Sequence, residues 1–338
     1  MVIPAYNGAA TLAASVDAVL AQTYSNIETL VVDDGSTDDT AAVLARYGDR
    51  VRTIKKPNGG LASARNVGTR AARGELVAMV DADDICEPER VAMQVALAHA
   101  RPEAVVCSTA FSAFSEEGFV AASYGASYYS MIGMTPGGVS GLYGPPTRLS
   151  LATGTDVSVE TDVYVAPVYD LLARGNFVHP PTIFFRKTLF DTVGEFDTAL
   201  RFTCDWDWLV RASRLGPFSF IDRPLLGYRL SASQMSGGKN SAKAALENLR
   251  ILEKICEQDP ALFTRDRERL RAYLAEFCLD AAEAHADSHI VKTVELLARG
   301  MRYGAGPQKA ALKIFVKAFV PKAVLVSARK LRGIGGNP

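Results

Sequence analysis

This chain of 338 residues lacks several features that would assign it directly to a class of protein. Its five cysteines are far apart and form no CxxC pair, which argues against a disulfide framework or a zinc site and predicts a reducing compartment. No apolar run reaches the roughly 18 residues of a spanning helix. The N-terminus has no basic stretch followed by an apolar one, so no signal peptide is predicted and we expect a cytoplasmic protein.

Charge is balanced overall but unevenly distributed along the chain. Lysine plus arginine and aspartate plus glutamate each total 37, so the net charge is zero and no nucleic-acid partner is predicted. No acidic residue follows Glu295. The basic residues beyond it are Arg299, Arg302, Lys309, Lys313, Lys317, Lys322, Arg329, Lys330 and Arg332. This tail can lie on an anionic membrane surface, or it can pack on the rest of the chain and present its lysines to water.

The first predicted strand is followed by neither of two common nucleotide-binding fingerprints. A GxGxxG turn and a Walker A loop are both absent, and Pro4-Ala5-Tyr6-Asn7 stands in their place. An aromatic side chain at this point can flank a nucleobase, and the alternative is a turn with a packed tyrosine. The strand ends at Pro4 and is short, as we expect if residues are missing upstream of Met1.

Strand and helix patterns alternate from Met1 to Ser108. This order predicts an α/β fold of the Rossmann-like type, a mostly parallel sheet with helices on both faces. One of these helices is expected to begin with Ser36 as its N-cap. The alternation of strand and helix patterns then weakens. The sequence predicts a long loop over residues 112–159 and a helix over Val163–Leu172. From Ser241 onward, the sequence predicts helices only.

Three carboxylates crowd the end of the fourth predicted strand. Leu76 to Val80 is an apolar run, and Asp81-Ala82-Asp83-Asp84 follows it directly. Ligands of open α/β sheets bind beyond the carboxyl ends of strands, and closely packed carboxylates repel one another unless a cation or protons lie between them. Oxygen ligands suit Mg²⁺ or Mn²⁺ together with substrate phosphates. The alternative is an acidic turn that caps the helix starting near Pro88.

Two further motifs lie at neighbouring strand ends. Asp33 and Asp34 close the second strand, where carboxylates can bind base N–H groups and ribose hydroxyls; the alternative is that they favour a helix N-terminus. The segment 57–66, with sequence PNGGLASARN, places paired glycines before a helix. Glycines allow a ligand to approach closely, and Arg65 can bind a phosphate. The alternative is a plain turn followed by a solvated arginine.

These motifs, in this order, resemble the GT-A glycosyltransferases of family 2. The segments that carry the resemblance are PAYN at 4–7, DDGS at 33–36, NGGLASARN at 58–66, DADD at 81–84, VGEFD at 193–197, CDWDWLVR at 204–211, YR at 228–229 and QMS at 234–236. The resemblance covers residues 1–236 and implies an inverting, metal-dependent enzyme that uses a nucleotide-sugar. UDP is the expected nucleotide, and the expected acceptor is a glycan or a lipid-linked glycan in cell-surface polysaccharide synthesis.

The resemblance also implies roles for individual residues. Asp205 would be the catalytic base, and Asp83 and Asp84 would hold Mg²⁺ or Mn²⁺. Asp81 would support that turn, and Gln234-Met235-Ser236 would close over the diphosphate. The donor-binding residues would be Pro4, Ala5, Tyr6, Asp34, Arg65, Asp83 and Arg229. Cys204 departs from the family pattern, which often has glutamate there, so an acceptor-side contact is expected to differ.

The expected domains are a GT-A catalytic domain over residues 1–236 and a helical region with a basic amphipathic tail over 237–338. The nucleotide-binding half would span about 1–110 and the acceptor half about 111–236. Because acceptors of this family are often lipid-linked, the tail is expected at the inner face of the cytoplasmic membrane. Two alternatives stay open: a sugar nucleotidyltransferase, and a catalytically inactive module that binds nucleotide-sugars.

Overall fold

A computed structural model describes residues 1–154, 157–231, 241–304, 311–314 and 318. The chain divides into two compact units, Met1–Ala232 and Ser233–Pro338. The segment Gln234-Met235-Ser236 and most basic residues of the tail (Lys309, Lys317, Lys322, Arg329, Lys330 and Arg332) lie outside the described residues, so their expected roles stay predictions.

The first unit opens with three parallel strands in the order β1-β2-β3. They are β1 (Val2–Ala5), β2 (Leu30–Asp33) and β3 (Arg52–Lys55), and the connecting helices are α1 (Leu12–Leu20), α2 (Thr40–Ala45) and α3 (Gly60–Ala71). The register aligns Ala5 with Asp33 and Asp33 with Lys55, so the ends of all three strands lie at one edge. The α/β order predicted for this part of the chain is confirmed.

A second, mixed sheet continues from the first through a parallel bridge between Val2 and Met79. Its strand order is β4-β10-β6-β11-β9-β8, with β5 beside β11 and β7 beside β6. The strands are β4 (Leu76–Ala78), β5 (Ile85–Cys86), β6 (Val106–Ser115), β7 (Gly118–Ala121), β8 (Thr147–Ala152), β9 (Ser158–Ala166), β10 (Phe184–Arg186) and β11 (Phe218–Arg229). Its neighbouring pairs are antiparallel apart from β6 with β11, which is parallel.

Helices and short turns connect these strands. They are α4 (Arg90–Ala100), α5 (Gly125–Tyr128), α6 (Ser130–Met134), α7 (Val139–Tyr143), α8 (Tyr169–Leu172), α9 (Lys187–Val193) and α10 (Cys204–Ser213). Leu97 of α4 is fully buried, and it belongs to a core cluster that contains Cys107, Phe184 and Ile221 from three neighbouring strands. Burial of such apolar side chains, at roughly 1.5–3 kcal/mol each, holds the second sheet and its helices together.

Three local predictions are wrong. The segment 112–159 is not an unstructured loop, because its described residues include β7, α5, α6, α7 and β8. Residues Val163–Ala166 belong to strand β9 rather than to a helix, since Val163 and Tyr164 pair with Ile221 and Phe220 of β11. Ser36 is not a helix cap, because α2 begins only at Thr40 and the Ser36 hydroxyl instead accepts the Asn7 N–H at 2.9 Å.

The described residues of the second unit form helices, as predicted. They are α11 (Ser241–Gln258), α12 (Pro260–Arg265), α13 (Arg267–His285) and α14 (Ile290–Tyr303). Leu252, Leu274 and Leu296, from three of these helices, are buried. Asp259 caps α12 by accepting the Leu262 N–H at 2.9 Å. Among the described residues, no helix is both long enough and apolar enough to cross a membrane.

Candidate active site

The acidic turn follows β4 in the interior of the first unit. Backbone bonds from Met79 to Ile183 and from Val80 to Val2 extend the strand to the turn. Asp81 and Asp83 are partly exposed, but Asp84 is fully buried. The Asp84 Oδ1 accepts the Arg229 N–H at 3.0 Å. Its Oδ2 is buried and has no hydrogen-bond partner in the part of the chain that is described.

The carboxyl groups of this turn disfavour one another's ionisation. Burial and the neighbouring charge of Asp81 raise the pKa of Asp83 to about 6. Burial, followed by the charges of Asp83 and Asp81, raises the pKa of Asp84 well above its ordinary value. A buried carboxylate oxygen without a partner needs a proton or a cation to offset its desolvation.

A divalent ion therefore suits this turn, provided that other ligands contribute. No three His, Cys, Asp or Glu side chains among the described residues are grouped so that they could bind one metal ion. Mg²⁺, however, is commonly held by one or two carboxylates together with substrate phosphates and water. The residues present fit a metal that arrives with a phosphate-bearing ligand.

The end of β11 lies against the acidic turn. The Arg229 Nε donates to the Asp83 carbonyl oxygen at 2.8 Å, while its backbone N–H binds Asp84. The guanidinium group lies over the Phe114 ring, 4.6 Å from its centroid. These contacts place a fixed cation beside the turn, in a position where it can attract an anionic ligand.

Arg65 approaches the turn from α3. Its side chain is buried, and its Nη2 donates to the Asp81 Oδ1 at 3.1 Å. Burial lowers the pKa of Arg65, but the charges of Asp81, Cys204 and Asp205 outweigh this effect and raise it. Its Nε and Nη1 have no hydrogen-bond partner among the residues described. Arg65 therefore stays charged and has donors available for an oxygen ligand.

Asp205 lies in the first turn of α10 and is partly buried. Burial raises its pKa to about 6, although Arg65 and the N–H groups of Asp205 and Trp206 oppose the rise. The nearby charge of Asp81 raises it further. The structure therefore brings the predicted base within electrostatic range of Arg65 and the acidic turn, although they are more than 100 positions apart in the sequence. A carboxyl group with a pKa near 6 can exchange protons close to neutral pH.

The ends of β1 and β2 lie at one edge of the three-stranded sheet. Pro4 and Ala5 are buried within β1, whereas the Tyr6 side chain is 53% exposed and free to contact a planar ligand. Asn7 adopts a positive φ of 50°, and its Oδ1 accepts the Thr37 N–H at 2.8 Å. This bond ties the loop after β1 to the loop after β2, which fixes the backbone next to Tyr6.

Asp34 is buried and holds the glycine turn before α3. Its carboxylate accepts the N–H groups of Gly59 at 3.0 Å and Gly60 at 2.7 Å, and it pairs with the Lys56 ammonium group. Gly60 has a φ of +85°, a conformation that favours glycine. The part that Asp34 plays in this structure is thus to shape the loop, and its predicted contact with a base or ribose stays a prediction.

Two asparagines at the site have contacts that the sequence did not reveal. The Asn66 Nδ2 donates to the Phe196 carbonyl and its Oδ1 accepts the Phe196 N–H, both at 2.8 Å, so it joins two of the family-like motifs. The Asn176 Nδ2 donates to the Asp205 Oδ2 at 2.9 Å. Asn176 belongs to no recognisable motif, and no local pattern pointed to it. Cys204, next to Asp205, is buried.

The fold, together with the acidic turn and the candidate base Asp205, is that of a GT-A type α/β protein. Residues 1–151 match the model of the family described as Glycosyl transferase family 2. An uncharacterized glycosyltransferase of Rickettsia prowazekii is 26% identical over 283 residues, which cover 82% of this chain and 78% of the relative. The prediction of this family from the motifs is therefore confirmed over residues 1–151, which carry the match to the family model.

Solved structures support the fold class. TarS of S. aureus, residues 1–349 in complex with UDP, aligns with a TM-score of 0.51 and 14% identity, covering 97% of this chain and 90% of that 1–349 chain. The mannosyltransferase PcManGT from Pyrobaculum calidifontis, in complex with GDP-Man and Mn²⁺, aligns with a TM-score of 0.53 and 19% identity. That alignment covers 98% of this chain and 79% of PcManGT. At these identities the similarity establishes the fold alone.

Proposed function

We propose that this glycosyltransferase moves a sugar from a nucleotide-sugar, with a UDP-sugar as the first choice, to a hydroxyl group of a glycan or lipid-linked glycan, with inversion at the anomeric carbon. The observation that carries the proposal is the grouping of Asp205, Arg65 and the acidic turn. It supplies a proton acceptor, a buried cation and oxygen ligands for a metal at one edge of the sheet.

The proposed reaction is a single displacement. Asp205 accepts the proton of the acceptor hydroxyl while that oxygen attacks the anomeric carbon. The bond between this carbon and the diphosphate oxygen breaks at the opposite face, and its electron pair leaves with the nucleoside diphosphate. General-base assistance of this kind contributes about 10²–10⁴-fold to the rate.

Cationic groups stabilise the leaving diphosphate in this proposal. Arg65 has two donors without partners among the described residues, and Arg229 is fixed beside the acidic turn. Asp83 and Asp84 would hold Mg²⁺ or Mn²⁺. When bound, such an ion supplies positive charge that offsets the charge growing on the leaving group. The mannosyltransferase PcManGT was solved in complex with GDP-Man and Mn²⁺, which supports the choice of metal.

The nucleoside would bind along the ends of β1 and β2. The exposed Tyr6 ring offers a surface for the base, the backbone of Pro4 and Ala5 forms the floor, and Asp34 lies at the end of the neighbouring strand. TarS was solved with UDP and PcManGT with GDP-Man, so both nucleotides belong in the first test.

We also propose the domain roles expected from the sequence. Residues 1–236 would carry the reaction, and the C-terminal region 237–338 would direct the enzyme to the inner face of the cytoplasmic membrane. The support for the second part is charge: no acidic residue follows Glu295, whereas nine positions from Arg299 to Arg332 are basic. Basic segments bind anionic lipid surfaces by electrostatic attraction.

A donor panel tests the proposed reaction. Release of nucleoside diphosphate is measured from UDP-glucose, UDP-galactose, UDP-N-acetylglucosamine and GDP-mannose, each with Mg²⁺, Mn²⁺ or EDTA. We expect turnover of one donor, dependent on a divalent ion. If the protein binds a nucleotide-sugar but turns over none of the donors with any acceptor tried, the proposal is contradicted and an inactive binding module is favoured.

Calorimetric titration with UDP tests the metal ligands. We expect Asp83→Ala and Asp84→Asn to abolish the difference in affinity between Mn²⁺ and EDTA. Asp84→Asn keeps an oxygen for the Arg229 N–H, so it changes the charge with little change in shape. Asp39→Ala, at an exposed position, is the control and should behave as wild type. Metal-dependent binding that persists in both site variants would refute the assignment.

A further inference from the structure

Asn176 has a fixed amide orientation next to the proposed base. Its Nδ2 donates to the Asp205 Oδ2 at 2.9 Å, and its Oδ1 accepts the Val178 N–H at 3.0 Å. Only the amide oxygen can accept a backbone N–H, so the NH₂ group must face the carboxylate. The contact with Asp205 is therefore a hydrogen bond from a donor to a charged acceptor, not a contact between two oxygens.

The segment 172–179, which carries Asn176, is anchored at both ends. The Trp206 Nε1 donates to the Leu172 carbonyl at 2.7 Å, which ties the segment's start to helix α10. At its other end, the buried His179 ring stacks on Phe111 with a centroid distance of 3.9 Å and an interplanar angle of 11°. Because both ends are held, Asn176 cannot move away from Asp205 without breaking contacts in the core.

We propose that Asn176 is a positioning residue for Asp205: its amide holds one carboxylate oxygen, so that the other is directed to the acceptor hydroxyl. The inference rests on the proposed function, because it assumes that Asp205 is the base. Asn176 lies outside the motifs that carry the family resemblance, and its role is indicated by geometry alone.

Besides the backbone N–H groups of Asp205 and Trp206, four side chains act on the charge of Asp205. Arg65 approaches from α3, Asp81 from the end of β4, the Tyr129 phenol from the junction of α5 and α6, and Asn176 from the anchored segment. Arg65 and Asn176 favour the ionised form, while Asp81 and burial disfavour it. Removing the amide therefore has a definite sign: the carboxyl group should become harder to ionise.

The pH dependence of kcat/KM distinguishes this role from a purely structural one. The donor is the one that turns over in the panel above, and the variants are Asn176→Ala and the exposed control Asn26→Ala. A hydrogen bond to a charged group corresponds to a shift of about one pH unit. We expect the acidic limb to move up by that amount in Asn176→Ala, which lowers kcat/KM by about fivefold at pH 6 but by less at pH 8. Asn26→Ala should leave the profile unchanged.

A second measurement does not need turnover. The Asp205 carboxyl ¹³C resonance, assigned by its loss in Asp205→Asn, is titrated in wild type and in Asn176→Ala. We expect the midpoint to rise in the variant. An unmoved midpoint, or an equal loss of activity at every pH, would overturn the role of Asn176. Full turnover by Asp205→Asn would instead overturn the proposed function, so the two failures can be told apart.

Discussion

The partly buried carboxyl group of Asp205 implies that the proposed base is maintained at a cost to folding stability. Burial raises its pKa from 3.8 to about 6, with Arg65 opposing the rise. A group whose pKa is raised in the folded state stabilises the protein below its unfolded pKa. That contribution is lost as the pH rises through the folded pKa. Asp205 is therefore neutral and tolerated near pH 4, and ionised and unfavourable above about pH 6.

The size of this effect follows from the shift. A rise in pKa of about two units, at about 1.4 kcal/mol per unit, changes the free energy of unfolding by roughly 3 kcal/mol between the two extremes of pH. Replacing Asp205 with asparagine removes the charge and keeps the shape, and the new amide can present its oxygen to the Asn176 amide group. We expect Asp205→Asn to be more stable than wild type by up to about 3 kcal/mol at pH 7.5, and no more stable at pH 4.

Urea unfolding followed by tryptophan fluorescence measures this difference. Both tryptophans of the chain, Trp206 and Trp208, are buried in α10, so the signal reports on the first unit. Free energies of unfolding from linear extrapolation are compared every half unit from pH 4 to pH 8. The control is Asp49→Asn at an exposed position, which should follow wild type throughout.

The same variant links stability to activity. If Asp205 is the base, Asp205→Asn gains stability at neutral pH but loses about 10²–10⁴-fold in kcat. A variant that is less stable than wild type at pH 7.5, or whose stability difference does not change with pH, would refute the argument from burial. Such a result would mean that the carboxylate is adequately solvated or compensated.

Two further predictions concern packing and the tail. Gly68→Ala places a methyl group 2.3 Å from the Val2 Cγ1 and 3.1 Å from the Val32 Cγ2, both in buried strands. We expect this variant to lose about 1–2 kcal/mol in free energy of unfolding, measured in urea, despite the better helix propensity of alanine. The control is Gly125→Ala, whose new methyl group would make an ordinary contact of 3.5 Å. Equal stability of the two variants would contradict the packing argument. For the tail, we expect the full chain to float with vesicles containing anionic lipid at low salt, and to lose this binding in 0.5 M salt or when the residues after Gly306 are removed. Flotation unaffected by the truncation would refute the proposed role of the tail.

Much of the first half of the fold could be predicted from local patterns. Apolar runs end in polar motifs at Pro4, Asp33 and Val80, and strands β1, β2 and β4 lie close to these positions. Helix α3 begins at the paired glycines, as expected for a glycine turn before a helix. These elements alternate regularly, and short parallel strands with intervening helices leave few other topologies.

The second half was harder to predict because its strands depend on distant partners. Val163 and Tyr164 form a strand since β11, more than 50 positions later, offers them an antiparallel neighbour. Strand β11 continues through Pro224, although its pairing with β6 shifts register there. Such tertiary pairing overrides local propensity, which is a weak guide for short segments.

The sequence by itself predicted the family and the fold class and determined the identity of the charged residues at the strand ends, because motif order and periodicity are local properties of the chain. Only the tertiary structure decided which of those residues are exposed and what holds them. It buried Asp84, engaged Asp34 in a glycine turn and brought Asn176 to Asp205. Burial and hydrogen-bond partners depend on segments far apart in the chain, and these set the charge and direction of each carboxylate.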